Sequence, residues 1–441
     1  MTKKWRRTRL CALICAIAVP TASALAQSSD TTPPPQTGTT TWQKPQPSET
    51  QRVTQNPSRD SRNSFGFSVE AMGMYDNNPY GSGSLNQQDM AEVFAPSIFA
   101  TLSHRKLMMH VEYQLAYRRY PDDHTLTSTT NDGGFELAYE KSKRLSFSVQ
   151  DHARSGPNDF LSLSGGGTGL YSISGLMPTQ QVFFDRQRIV SNSALASMSF
   201  KATRNNTFAF TTDYEQSQFS VNTVENTTTA RAMASENYQV SKSWGISGEV
   251  SNQWVTSVSG IRSGRILEFL GGLNIRVSKG FSIQGRAGVE EVHSGLGPKY
   301  SSTGEASFSH TSRTNNISVS YSLRSGYQLG LAGLNRNDSV TGSFDQKLGR
   351  YVTFHLQSTY FRTIGLAYYG HLSTMASSGG FEFSVHPSVV LTLSGNYMDQ
   401  RQGTTTNNAA TLNASRTMLM AGVSYLFPPV KPKRGAAPVA R

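Results

Sequence analysis

The chain has 441 residues, of which 37% are apolar and 10% aromatic, and it carries a formal net charge of +12. Its two cysteines, Cys11 and Cys15, lie inside an N-terminal leader, so the mature chain is expected to hold no disulfide, no thiolate nucleophile and no cysteine-ligated metal. Basic residues are scattered rather than clustered, which gives no ground for a nucleic-acid partner, and no apolar run after the leader approaches the length of a membrane-spanning helix.

Residues 1–26 read as a signal peptide. Lys3, Lys4, Arg6, Arg7 and Arg9 precede the short apolar core LCALICAIAV, and Ala24-Leu25-Ala26 places cleavage before Gln27. Ile14 stands where a lipoprotein would need a small residue before Cys15. Removal of the five leader charges leaves 36 Lys+Arg against 29 Asp+Glu, a net of about +7. Residues 27–62 are rich in Pro, Thr, Ser and Gln and are expected to form a disordered or polyproline-like arm.

From residue 63 the pattern changes. FGFSVEAMGMY sets Phe65, Phe67, Val69, Ala71 and Tyr75 on one face. KLMMHVEYQLAYRRY, residues 106–120, alternates Leu107, Met109, Val111, Tyr113, Leu115 and Tyr117 with His110, Glu112, Gln114 and Arg118. A helix would leave Glu112 off the polar stripe, whereas a strand between two different solvents accounts for every position. The same alternation returns in RLSFSVQ, RILEFLGGLNIRV, FSIQGRAGVE, NISVSYSLR and YVTFHLQSTY.

Eight short connections (residues 103–106, 141–144, 203–206, 241–243, 278–280, 311–314, 348–350 and 386–388) alternate with nine longer ones, predicting about 18 strands. Sixteen is the alternative, because TARAMASENYQV would put Glu236 on its lipid face. The expected fold is all-β: a closed antiparallel transmembrane barrel over residues 63–427, with short periplasmic turns, long external loops and both termini periplasmic. The competing class is a secreted sandwich or solenoid. Aromatic spacing favours the barrel. Trp244 and Trp254 are ten residues apart on one face. At about 3.3 Å per residue and a tilt of about 40°, that spans roughly 25 Å, the height between aromatic girdles. Phe65 with Tyr75, and Leu107 with Tyr117, share the interval.

If the odd positions of residues 107–117 face lipid, His110, Glu112, Gln114 and Arg118 face the lumen. Strand by strand, so do Glu136, Glu140, Arg154, Asp213, Glu215, Glu249, Arg286, Glu290, Glu305, Arg324 and His355. Charges of both signs imply a wet lumen that sorts solutes, unless they pair and plug it. The third long loop, residues 155–187, carries Phe160, Leu163, Tyr171 and Ile173 among serines and glycines, too many apolar groups to hang in water. It is expected to fold inward as a constriction, or to form an external cap or a contact between copies.

The last strand, TMLMAGVSYLF, holds Gly422, Tyr425 and Phe427, which resemble the C-terminal recognition pattern of bacterial outer-membrane proteins. The resemblance implies that the barrel-assembly machinery reads this strand, and Tyr425 and Phe427 would join Tyr75, Tyr117, Trp244 and Trp254 in the aromatic girdle. GMYDNNPYG, through Asp76, Asn77 and Pro79, resembles the end of the first strand in a family of β-barrel porins, some associated with exopolysaccharide export. It implies possible partners among export components. Residues 428–441 form a basic, Pro-rich periplasmic tail.

Enzyme signatures are poor. FSHTS, with His310 and Ser312, faintly resembles the active-site stretch of outer-membrane phospholipase, but His310 is expected at a turn with no orienting partner. SGGGTG opens no helix, and no metal or cofactor motif is present. The expected function is an outer-membrane, porin-like channel for small hydrophilic solutes or a polysaccharide, in contact with outer-membrane lipid. The alternative is a plugged structural or adhesive barrel acting through its loops or its periplasmic arm. The number of copies is left open.

Overall fold

The computed structural model describes residues 63–79, 88–157, 188–219, 226–257, 263–278, 280–294, 297–327, 334–366, 370–403 and 413–427. The expected signal peptide, arm and tail lie outside the described residues, as do Phe160, Leu163, Tyr171 and Ile173.

The strands are β1 (Asn63–Asp76), β2 (Asp89–His104), β3 (Leu107–Arg119), β4 (Ser128–Ser142), β5 (Leu145–Pro157), β6 (Arg188–Lys201), β7 (Asn206–Phe219), β8 (Thr227–Gln239) and β9 (Trp244–Ser257). They continue as β10 (Gly264–Ser278), β11 (Phe281–Ser294), β12 (Gly297–Thr311), β13 (Asn315–Tyr327), β14 (Leu334–Lys347), β15 (Val352–Leu366), β16 (Gly370–His386), β17 (Val389–Gln402) and β18 (Ala414–Phe427). Each strand pairs antiparallel with the next, and β18 returns to β1 with Phe67 opposite Phe427 and Asp76 opposite Met418. The sheet is therefore a closed 18-stranded barrel in which every strand has a neighbour on both sides. The weakly patterned segment is a full member, β8, paired along its length with β7 and β9.

Four of the short turns share a local cause. Ser142, Thr203, Ser241 and Ser312 each stand just before a reversal, and each hydroxyl accepts hydrogen bonds from backbone N–H groups two and three residues on, at 3.0–3.3 Å. The side chain thus stands in for a backbone acceptor and pins the turn. At the other end the connections vary. Two that were expected to be long are short: only residues 295–296 join β11 to β12, and only 367–369 join β15 to β16. The strands take up the polar residues that read as loop, so that NRND lies within β14 and TNDGG within β4.

Backbone approach is closest at Gly288 in β11, where a Cβ would lie 1.7 Å from the Phe269 carbonyl oxygen. Gly288→Ala must push β10 from β11. It should cost about 1–3 kcal/mol, read as a lower temperature for conversion of the compact folded band on gels; an unchanged temperature would refute the crowding.

Alternation separates the two faces throughout. On β3, Leu107, Val111, Tyr113, Leu115 and Tyr117 are exposed, while Gln114, Ala116 and Arg118 are buried. On β2, Phe94, Ile98 and Leu102 are exposed against buried Val93, Ala95 and Ser97. An exterior this apolar, wrapped round a polar interior, is the outer-membrane β-barrel architecture, with acyl chains as the outer solvent.

Candidate functional site

The lumen wall is the candidate site. By register, His110, Glu112, Gln114 and Arg118 (β3), Glu136 and Glu140 (β4), Arg154 (β5), Asp213 and Glu215 (β7), Glu249 (β9), Arg286 and Glu290 (β11), Glu305 (β12), Arg324 (β13) and His355 (β15) all lie on the face opposite the exposed apolar one. Tyr117, Trp244, Trp254, Tyr425 and Phe427 are exposed on the outward face, and Tyr75 is half-buried on it.

The densest charge lies on β9–β13. Arg286 and Glu305 are direct cross-strand partners, and the Arg286 guanidinium bonds both Glu305 and Glu249. Arg324 reaches Glu305 at 2.5 Å and Glu268 at 3.5 Å. Thr303 Oγ1 donates to Glu268 Oε1 at 2.7 Å, Ser251 Oγ donates to its other oxygen at 3.2 Å, and Ser301 donates to Glu290. Glu268 and Glu290 face each other directly across β10 and β11. Three carboxylates thus share two guanidinium groups across β9–β13, and Glu290 stands opposite Glu268 beside them, a local excess of acid. Glu268 is absent from the sequence-based set although RILEFLGG gives its face by alternation between Leu267 and Phe269.

Smaller pairs line the rest of the wall. Arg231 Nε bonds Asp213 at 2.8 Å, His152 bonds Asp132 at 2.7 Å, and His110 lies 3.4 Å from Glu112 and 2.8 Å from Thr101. His355 is held between Asp345 at 2.8 Å and Glu382 at 3.5 Å. His310, by contrast, lies within β12 rather than at a turn, and its ring packs 6.4 Å from that of Phe281. Ser312 bonds Asn315, so no nucleophile–base pair forms there.

The mouth at the long-loop end is different in kind. Met74, Ala91, Met398, Ala414, Met418 and Met420 face inward and bury a cluster with Tyr120 and Leu126. Leu126 comes from the connection between β3 and β4, in a single 3-10 turn over His124–Leu126. Asp123 caps that turn, accepting from Thr125 N at 2.9 Å and Thr125 Oγ1 at 2.6 Å. Among the described residues it is therefore the second long loop that enters the lumen. Beside the cluster, Arg416 Nε donates to Asp76 at 2.9 and 3.2 Å, and the Tyr120 hydroxyl donates to the same carboxylate at 3.2 Å. Asp76 and Arg416 are wholly buried.

No family model matches the chain, and no curated protein sequence does. Among solved structures, OccAB4 of Acinetobacter baumannii is similar at 9% identity over 84% of this chain and 100% of that one, with a TM-score of 0.44. OccK2 (OpdF) of Pseudomonas aeruginosa, solved in complex with glucuronate, is 9% identical over 82% of this chain and 97% of that one, with a TM-score of 0.43. The siderophore receptor PirA of Pseudomonas aeruginosa is 7% identical over 82% and 80%, with a TM-score of 0.40. TM-scores this low say nothing of the solute or the partners of this chain.

Proposed function

We propose that this chain is a passive outer-membrane channel for small hydrophilic solutes, with a preference for cations. The observation that carries the reading is the ionisable lining of a closed barrel: Glu249, Glu268, Glu290 and Glu305 against Arg286 and Arg324, with histidine–carboxylate pairs on the remaining wall. An excess of carboxylates lowers the energy of a cation in the bore and raises that of an anion, and the passage needs no catalytic group. The outward aromatics serve as the girdle at the membrane interface. Reconstitution into planar bilayers should give stepwise conductance with a reversal potential on the cation side; silent bilayers would overturn the reading. Replacing both Glu249 and Glu305 by glutamine should weaken the cation preference and move the reversal potential toward zero, because Glu268 and Glu290 are then only matched by Arg286 and Arg324 on that stretch of wall.

The apolar mouth favours a second reading, a plugged barrel with a structural or adhesive role, and silence in the bilayer would support it. A polysaccharide would need that mouth to open widely, so small solutes fit the lumen better. The C-terminal strand is proposed to be read by the barrel-assembly machinery. Gly422→Leu should slow assembly, since even a Cβ there would lie 2.4 Å from Met72 Cγ; normal pulse-chase kinetics of folding would remove this part. Association with exopolysaccharide export components is tested by crosslinking in intact envelopes, and their absence from the crosslinked material would dismiss it.

A further inference from the structure

Asp151 places a charged group on the outward face of the wall. Successive cross-strand partners form a row that climbs the outside of the barrel: Phe65, Ala100, Val111, Phe135, Asp151, Ala194, Tyr214, Ala230 and Trp254. Phe65 and Trp254 are exposed aromatics at its two ends. Eight steps of about 4.8 Å, on strands tilted by about 40°, rise roughly 25 Å. The row therefore runs from one interface of the bilayer to the other. Asp151 is its middle member, four strands from either end, and faces outward at the depth of the acyl-chain ends.

No hydrogen bond or ion pair to Asp151 is found among the described residues. Glu236, another outward acid on this side, differs: it takes a hydrogen bond from Asn206 Nδ2 at 2.7 Å. A carboxyl group with nothing but hydrocarbon around it is strongly disfavoured, and polar groups at that depth mark contacts with protein or water.

The wall around Asp151 has a matching shape. Beside it, the neighbouring strand β6 presents Ala194 and Ala196 outward, which let another backbone come close. Beyond it, on β7, Thr212 pairs with Ala196. Relative to Asp151, Thr212 is two strands up the slope, a rise of roughly 6 Å, and two residues back toward the periplasmic turn, a fall of roughly 5 Å. The two side chains therefore lie at one depth.

We infer that the outer face of β5–β7 docks a second copy of this chain within the membrane, with Asp151 of each copy accepting a hydrogen bond from Thr212 of the other. A twofold axis along the membrane normal and passing by β6 sets β5 of one barrel against β7 of its partner, so acceptor and donor meet twice at equal depth. Ala194 and Ala196 lie on the axis and face their own counterparts. The face is complementary to itself in both shape and hydrogen bonding, which singles out a second copy over a different protein or a lipid.

The mature sequence contains no cysteine, so single cysteines report cleanly. In intact outer membranes expressing the full chain, Ala194→Cys should form an oxidant-dependent disulfide at twice the monomer mass. Val340→Cys, exposed on the far wall, should not. Asp151→Leu, which suits a lipid-facing position and preserves the fold, should reduce the Ala194→Cys crosslink at least severalfold, whereas Asp151→Asn should largely keep it. The inference is overturned if crosslinking at 194 does not exceed that at 340, if the product has a mass other than twice the chain's, or if Asp151→Leu leaves the yield unchanged.

Discussion

Asp76→Ala should lower the temperature at which the folded barrel opens more than any other single truncation on the lumen wall. Asp76 ends β1, Arg416 lies near the start of β18, and the pair ties the first strand to the last where the ladder stops. Three consecutive side chains extend that seam. Beyond Asp76, Asn77 N donates to the Thr417 carbonyl at 3.1 Å, Thr417 N donates to Asn77 Oδ1 at 2.6 Å, and Asn78 Nδ2 donates to the Ser415 carbonyl at 2.9 Å. The Asp76 carboxylate also accepts from Asn78 N at 3.1 Å and from Tyr120. Its removal takes from a wholly buried guanidinium the carboxylate it pairs with, at a cost of about 3–5 kcal/mol. The joint replacement Asp76→Leu with Arg416→Met should recover much of the loss, because an apolar pair of similar volume carries no desolvation penalty. Heat-modifiable gel mobility measures both. If Asp76→Ala lowers the transition no further than Leu391→Ala, an outward and lipid-facing change, the seam does not depend on this ion pair.

The architecture was legible because two solvents impose one simple rule. An outward side chain must suit hydrocarbon and an inward one must suit water, so period two runs through strand after strand and sorts side chains onto two faces, while the alternation of connections gave about 18 strands with 16 as the alternative. The rule fails where one solvent is missing. Met74, Met418 and Met420 alternate with Tyr75, Leu419 and Ala421, so both faces read as apolar and alternation does not show what fills the lumen there. The cause is Leu126, which replaces water at that level of the lumen. Nothing in DDHTL marks it as a wedge, since a single leucine in a polar loop looks like any other. Asp76 was noticed only as part of a resemblance, because its partner stands 340 positions away and alternation says nothing of which strands meet. Glu268 was within reach of the rule, and the Arg286–Glu305 pairing was not, since it needs the register.

Among the described residues the second loop is the one that enters the lumen, and shortening it should have the largest functional effect. Tyr120 enters from the end of β3 and Leu126 from the capped turn, and both bury against inward methionines of β1, β17 and β18. The Asp123 cap and the hydrogen bond from Tyr120 to Asp76 hold the wedge in place rather than leaving it to fluctuate. Replacing residues 122–127 by two glycines removes the wedge and leaves Tyr120 and the seam intact. Single-channel conductance should rise severalfold and the cation preference should weaken, since a wider bore brings fewer ions close to the charged wall. Leu126→Asp should act in the same direction by admitting water to the cluster. The four methionines and Leu126 owe their burial to each other, so the loop-shortened barrel should also open at a lower temperature, by a smaller margin than Asp76→Ala because no charge is stranded. A conductance unchanged by the shortened loop would place the narrowest point of the passage elsewhere along the bore.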